Sequence, residues 1–307
     1  MSGIGAPQHS GIPIGEEARP PFAVLPDPRT LFAHRAERLR DLARAHELGA
    51  YLTLLAGIAS AQHRVQDNLP EPELPPEDVR ERARHFTMPP LDRARFAPDA
   101  AFRATLERLL DLLRAVPMPE MARTALDRLT WLEEAGRDAM MRDVLAESIP
   151  MAELAEHTFV AAALQVHFAR MAAPLDAKSL VPIADGACPV CGGPPVASLV
   201  VGWQNAHGTR FCACSICSTL WHVVRIKCVS CGSTEGIGYE EVADGPGARQ
   251  VRAETCRKCK SYVKIMLQTE NAALDPVADD IATLGLDILM RETGIRRAGV
   301  NPFLVGY

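Results

Sequence analysis

The chain has 307 residues, of which 48% are apolar, 5% aromatic and 23% charged, with a formal net charge of −5 at pH 7. This length allows two domains, and the apolar content excludes wholesale disorder. No apolar run reaches the about 18 residues of a membrane-spanning helix, and the N-terminus has no basic segment followed by an apolar one. We therefore expect no membrane insertion, no secretory signal and a cytoplasmic location.

The distribution of cysteine divides the chain. All nine cysteines lie between Cys188 and Cys259. In a reducing compartment such a cluster is more often a metal site than a disulfide framework. The predicted fold class is α+β, with a disordered lead-in, a helical domain, a cysteine-rich domain, and a C-terminal helix with its tail. Their predicted bounds are 1–25, 26–184, 185–270 and 271–307.

Apolar residues at helical spacing predict the helical domain. Asp27 and Pro28 are placed as the N-cap and first residue of a helix that continues after a break near 47–49. Seven prolines within 68–99 exclude one continuous helix there, so we expect an extended arm or linker. Further helices are predicted over 102–113, 120–136, 139–148 and 151–173. The last is apolar almost all round, which predicts a buried position.

The helical domain contains no HExxH, GxGxxG, GxxxxGK[ST] or GxSxG motif. We therefore predict no catalytic residue and no enzyme activity. His157 and His167 lie on the predicted buried helix, where a ligand role stays open. Hydrogen-bonded structural histidines are commoner at such positions.

Four CxxC pairs carry the strongest chemical signal, because two intervening residues let both sulfurs face one cation at about 2.3 Å. Glycine follows the first and third pairs, at Gly192 and Gly232, and suits the left-handed backbone of such a turn, here called a knuckle. The second and fourth pairs lack this glycine. The eight predicted metal ligands are Cys188, Cys191, Cys214, Cys217, Cys228, Cys231, Cys256 and Cys259.

The spacing of the pairs indicates a repeat. Between knuckles lie 22 residues in the first unit, from Cys191 to Cys214, and 24 in the second, from Cys231 to Cys256. This favours two tandem ribbons in which the first pair joins the second and the third joins the fourth. An interleaved pairing stays open, and four sulfurs suit zinc or iron. Short strands are predicted over 196–203, 209–214, 237–242 and 249–255, with a turn at 243–247.

Two residues near the second knuckle have open roles. Cys212 is a ninth cysteine, interpreted as a small buried strand residue rather than as a reactive or substitute ligand. His222 follows the knuckle and is interpreted as a hydrogen-bond donor to a thiolate or as a surface contact group.

The sequence resembles the FdhE family of formate dehydrogenase accessory proteins. The resemblance is carried by CPVCGGPPVASLV (188–200), CSICSTLWHVVRIKCVSCGSTEGIGY (214–239) and RAETCRKCKSYVKI (252–265), and by segments 35–62 and 275–307. It implies a helical N-terminal domain and a rubredoxin-like double ribbon whose cysteine pairs carry iron. It also implies a cytoplasmic maturation factor that binds the catalytic subunit of a respiratory formate dehydrogenase. Cys212 departs from the pattern expected before the second knuckle.

Other functions are weighed against this one. A zinc ribbon that binds nucleic acid is the alternative, but residues 186–266 hold only nine Lys and Arg against five Asp and Glu, and bound thiolates offset that excess. We therefore expect no nucleic-acid partner. A thiol-disulfide oxidoreductase would need a CxxC at a helix N-terminus, which none of the pairs provides. The tail helix, near 277–292, is expected to pack between the two domains, and self-association stays open.

Overall fold

The computed structural model describes residues 20–242 and 248–304. Helices occupy the first half of the chain and strands the cysteine-rich part, so the predicted α+β class with a terminal helix is confirmed. No helix in these two ranges is long and apolar enough to cross a membrane. The helices are α1 (Pro28–Ala43), α2 (Gly49–Val65), α3 (Glu77–His85), α4 (Ala100–Leu113), α5 (Glu120–Trp131), α6 (Glu134–Leu145), α7 (Leu154–Ala172), α8 (Ala278–Ala282) and α9 (Leu284–Glu292).

The first two helices form as the sequence predicts. The side chain of Asp27 accepts a hydrogen bond from the backbone N–H of Arg29, and Pro28 is the first residue of α1. The chain leaves the helix after Ala43 and re-enters it at Gly49. A Cβ at Gly49 would lie 2.8 Å from the carbonyl oxygen of Ala43, so the close return of the chain here needs glycine.

The predicted extended arm, 68–99, contains the short helix α3. Between Pro76 and Pro89 the chain has no proline, which leaves room for nine helical residues. No residue of α3 is buried. The arm after it is held against the cysteine-rich part, because the N–H groups of Leu91 and Arg93 donate to the carbonyls of Val190 and Cys191.

The break between the next two predicted helices lies earlier than expected. The chain is extended at Leu132 and Glu133, and α6 runs through Gly136. A Cβ at Gly136 would lie 2.8 Å from Cγ of Leu132. The predicted boundary was wrong because this glycine provides packing space inside a helix and does not end one.

Asp99→Ala is expected to lower the free energy of unfolding by about 1 kcal/mol. The carboxylate of Asp99 accepts a 2.6 Å hydrogen bond from the N–H of Phe102 in the first turn of α4, and alanine leaves that donor unpaired. Urea unfolding measures the change. Asp99→Asn keeps an acceptor and should cost less; equal losses in the two variants would contradict the capping role.

Helix α7 is the centre of the helical part, as its apolar sequence predicts. Nδ1 of His157 lies 2.7 Å from the carbonyl oxygen of Glu153. His167 is surrounded by the rings of Phe96, Phe102 and Phe168, and burial lowers its pKa to about 4. Neither histidine lies in a cysteine group. The expected hydrogen bond is present at His157, but neither ring nitrogen of His167 has a hydrogen-bond partner among the described residues.

One mixed sheet contains both cysteine units. Its order is β1-β4-β3-β2-β7-β6-β5, with β8 also paired to β7. Each unit contributes three strands, and the parallel pairing of β2 with β7 joins the two units into one sheet. The strands are β1 (Ala23–Val24), β2 (Pro195–Val200), β3 (Arg210–Cys214), β4 (Leu220–Val223), β5 (Ile237–Glu240), β6 (Val251–Cys256), β7 (Ser261–Leu267) and β8 (Arg296–Arg297).

The N-terminal lead-in is ordered before its predicted end. Strand β1 pairs with β4, with Ala23 opposite Trp221. The disorder expected for residues 1–25 therefore does not hold at β1, where edge hydrogen bonds of β4 bind the chain. The rest of that prediction, residues 1–19, and the predicted turn at 243–247 lie outside the described residues.

The tail lies between the helices and the sheet, as expected, but it forms two helices rather than one. The chain breaks at Thr283, where the buried ammonium of Lys264 donates hydrogen bonds to the carbonyls of Asp280 and Thr283. Arg38 of α1 pairs with Asp279 at 2.6 Å, and Lys264 of β7 pairs with Asp287 at 2.5 Å. Ion pairs thus join the tail to both parts.

Candidate metal centres

The eight predicted ligand cysteines lie in two groups of four. The structure joins the first pair with the second and the third with the fourth, and does not interleave them. In each group the four sulfurs lie within 4.8 Å of one another. The first group contains Cys188, Cys191, Cys214 and Cys217, and the second contains Cys228, Cys231, Cys256 and Cys259.

The sulfur separations fit a metal tetrahedron. In the first group Cys188 lies 3.5 Å from Cys217, and Cys191 lies 3.4 Å from Cys214. The corresponding distances in the second group are 3.7 and 3.8 Å. Metal–sulfur bonds of about 2.3 Å give tetrahedral edges of about 3.8 Å, whereas a disulfide needs about 2.05 Å. Both groups can therefore hold one four-coordinate ion such as zinc or iron.

All four knuckles have a left-handed residue directly after the second cysteine. The residue after the second cysteine has a φ of +79° at Gly192 and +71° at Gly232, as the glycines predict. Ser218 and Lys260 occupy the same place in the other two knuckles, with φ of 57° and 54°. A side chain in this left-handed region is strained. The knuckle geometry is therefore set by the fold even where the sequence supplies no glycine.

A hydroxyl follows each of these strained residues. Thr219 Oγ1 shares a 3.3 Å hydrogen bond with the sulfur of Cys217, and Ser261 Oγ lies 2.9 Å from the sulfur of Cys259. The two units thus repeat the same order of knuckle, two strands, knuckle, hydroxyl and third strand.

The first group is enclosed by the helical part of the chain. All four of its cysteines are buried. The carbonyl of Cys191 accepts from the arm at Arg93, and the carbonyl of Ser215, inside the second knuckle, accepts a 2.7 Å hydrogen bond from Nε2 of Gln165 on α7. Sequence patterns could not single out Arg93 or Gln165, because both contacts cross large sequence separations.

The electrostatics of the first group call for a cation. Burial raises the pKa of the Cys188 and Cys217 thiols, so four thiolates cannot form there without a compensating positive charge. The guanidinium of Arg93 lies against this group, and Gly193 leaves room for it, since a Cβ there would lie 3.0 Å from Nη1. Burial opposes its charge, but Glu147 and two of the cysteines raise the pKa of Arg93 above its ordinary value.

The second group lies at the surface. Cys228 and Cys256 are buried, but Cys231 and Cys259 are exposed. Burial raises the pKa of Cys228 to about 12. Burial also raises that of Cys259, but hydrogen bonds from Ser261 and from the other cysteines outweigh it and lower the value to about 7.

Cys212 and His222 lie outside both groups. Cys212 is buried in β3, opposite Ser198 and Trp221, and burial raises its pKa to about 12, as suits a packed, unreactive thiol. The half-buried ring of His222 lies 5.9 Å from that of Phe211, centroid to centroid. Among the described residues no hydrogen bond joins this ring to a cysteine sulfur, so the first alternative for His222, a thiolate donor, was wrong, and the second, a surface contact group, stays a prediction.

Comparison with known proteins shows that three models of one family together match nearly the whole chain. Family models described as FdhE N-terminal, FdhE central domain and FdhE C-terminal domain match residues 20–185, 187–225 and 226–304. The last boundary falls between the two cysteine groups.

Individual relatives match nearly end to end. "Protein FdhE homolog" of Rhizobium meliloti (strain 1021) is 45% identical over 294 residues, which are 96% of each chain. The homolog from Haemophilus influenzae (strain PittEE) is 33% identical over 298 residues, 95% of this chain and 94% of that protein. The crystal structure of the FdhE protein from Pseudomonas aeruginosa superposes with a TM-score of 0.82 at 33% identity, covering 94% of this chain and 99% of that one. The chain belongs to the FdhE family.

Proposed function

We propose that this protein is a non-catalytic, cytoplasmic assembly chaperone that matures the catalytic subunit of a respiratory formate dehydrogenase. Family membership over nearly the whole chain carries the proposal, because FdhE proteins are formate dehydrogenase accessory proteins. The two four-cysteine groups support it by adding a place for metal in a chain with no predicted catalytic residue.

The proposal assigns both groups as metal sites, with all eight cysteines as ligands. We infer iron as the metal, because the resemblance to the FdhE family implies iron in its cysteine pairs, and zinc as the alternative occupant. Four thiolates around a divalent ion carry a net charge of −2, and around a ferric ion −1. Bound iron would supply one-electron chemistry, and the chain's own role would be to hold four thiolates at tetrahedral spacing.

The proposal also retains the division into a helical domain (26–184), a double ribbon (185–270) and a C-terminal helix with its tail (271–307). The tail supports cooperation between the first two, because Arg38 and Lys264 bind its aspartates from opposite sides. We infer that the helical and ribbon surfaces together receive the client as one rigid body.

Metal content tests the sites directly. Chain purified without oxygen is expected to carry about two ions per molecule, since each group holds one four-coordinate ion. Iron would give thiolate-to-metal charge-transfer bands, and zinc a spectrum without them; elemental analysis identifies either. Fewer than two ions per chain would contradict the ligand assignment.

Client binding tests the chaperone role. The chain should co-purify with a formate dehydrogenase catalytic subunit produced in the same cells, and cells lacking the chain should make that subunit without formate-oxidising activity. The chain alone should show no such activity. A fully active enzyme in cells that lack the chain would contradict the proposal.

A further inference from the structure

The two cysteine groups differ in their access to solvent. In the first group each cysteine has a relative exposure of 2% or less. In the second group Cys231 and Cys259 are exposed. The sulfur ligands of two otherwise repeated units therefore face different surroundings.

The difference follows from what covers each unit. The arm at Arg93 and the central helix at Gln165 both bind backbone carbonyls of the first unit's knuckles. On the fourth knuckle, by contrast, the described part of the tail donates one backbone hydrogen bond, from the N–H of Arg296 to the carbonyl of Lys260. All four residues from 257 to 260 are exposed.

The exposed knuckle is positively charged. Arg257, Lys258 and Lys260 surround Cys259 in sequence, and none of them forms an ion pair with a described residue. Three free cations attract an anionic ligand to this face and offset the negative charge of a four-thiolate site.

We propose that the second group is a ligand-exchange site, at which the sulfur of an incoming anionic thiol would replace that of Cys259, whereas the first group keeps its metal permanently. The inference rests on the proposed function, in that both groups hold metal. In the exchange the incoming thiol gives its proton to solvent, and its sulfur bonds to the metal. The bond to Cys259 breaks, and the Cys259 sulfur takes a proton. No group is oxidised or reduced.

Zinc release from the full chain tests the proposal. The protein is loaded with zinc, its zinc content is measured, and thioglycolate is added together with a chromophoric zinc chelator. One zinc per chain should leave more than about tenfold faster than the other, because only one group has exposed sulfurs. Iodoacetamide alkylation, mapped by mass spectrometry, should label Cys259 and Cys231 before any cysteine of the first group.

Charge variants separate attraction from simple exposure. The double variant Lys258→Glu, Lys260→Glu should slow the thioglycolate-driven release severalfold, since like charges repel. It should leave release by the cationic thiol cysteamine no slower. Arg108→Glu, an exposed charge reversal on α4, is the matched control and should change neither rate.

The outcomes distinguish the two proposals. Two zincs that leave at one rate, or first labelling at Cys188, Cys191, Cys214 or Cys217, would overturn the inference alone. Unchanged thioglycolate release in the double variant would overturn the thiolate-attracting role. Fewer than two zincs at the start would overturn the proposed metal content and this inference with it.

Discussion

Replacing Cys214 and Cys217 by serine is expected to abolish cooperative folding of the whole chain. Structural metal sites of this type contribute about 10–16 kcal/mol, which matches or exceeds the about 5–15 kcal/mol by which most domains are stable. Losing this metal should destabilise the helical part as well, because the arm at Arg93 and helix α7 at Gln165 both form hydrogen bonds to the first group's knuckles. Far-UV circular dichroism during urea unfolding should show no sharp transition for this variant.

The matched control is the same double substitution in the second unit, Cys256→Ser with Cys259→Ser. This unit pairs with the first unit through β7 and binds the tail through Lys264, and among the described residues no hydrogen bond joins it to α7. The control should lose one metal ion per chain and keep a cooperative transition of the helical part. Equal helicity and equal urea midpoints of unfolding in the two variants would contradict the larger contribution to stability that we assign to the first group.

Lys264→Met is expected to lower the free energy of unfolding by about 3–5 kcal/mol. The ammonium is fully buried and binds the carboxylate of Asp287 at 2.5 Å and that of Asp280 at 3.3 Å. Without it, two buried carboxylates share only the guanidinium of Arg297 as a cation. Although burial opposes it, the charges of Arg297 and Lys264 hold the pKa of Asp280 below its ordinary value, which shows how far this carboxylate depends on them.

Urea unfolding of native and variant chains at pH 7 measures this effect. Lys258→Met removes an exposed lysine of the same ribbon unit and should change the free energy of unfolding by less than about 0.5 kcal/mol. Equal effects of the two lysine substitutions would contradict the role assigned to the buried network.

Sequence reasoning located the parts of the molecule whose signals are local. The CxxC spacing, the glycines at 192 and 232 and the cap at Asp27 each involve a few neighbouring residues, and the structure shows the expected geometry at each. The pairing of knuckles was also predictable, since the loops between them have nearly equal lengths. Features that depend on a few neighbouring residues can therefore be predicted from the sequence alone.

The remainder depends on contacts that no local pattern records. Strand β2 pairs with β7 across 67 residues, with Ala197 opposite Lys264, so two predicted ribbons became one sheet. Gly136 lies inside α6, where it leaves room for the side chain of Leu132, and the chain breaks at Thr283, whose carbonyl accepts a hydrogen bond from the buried Lys264. The same holds for the left-handed Ser218 and Lys260, where the metal-binding turn overrides the residue's own preference.

The head-to-tail joining of the ribbons makes the sheet a two-repeat array. Along the sheet, the first unit lies in the order β4-β3-β2 and the second in the order β7-β6-β5. The first strand of one unit, β2, therefore pairs with the third strand of the next, β7. That rule could add further units indefinitely, as in a solenoid. At one end β1 occupies the free side of β4 in the opposite direction, and so acts as a terminal cap. Two residues, Ala23 and Val24, thus stop the growth of a repeat at this edge.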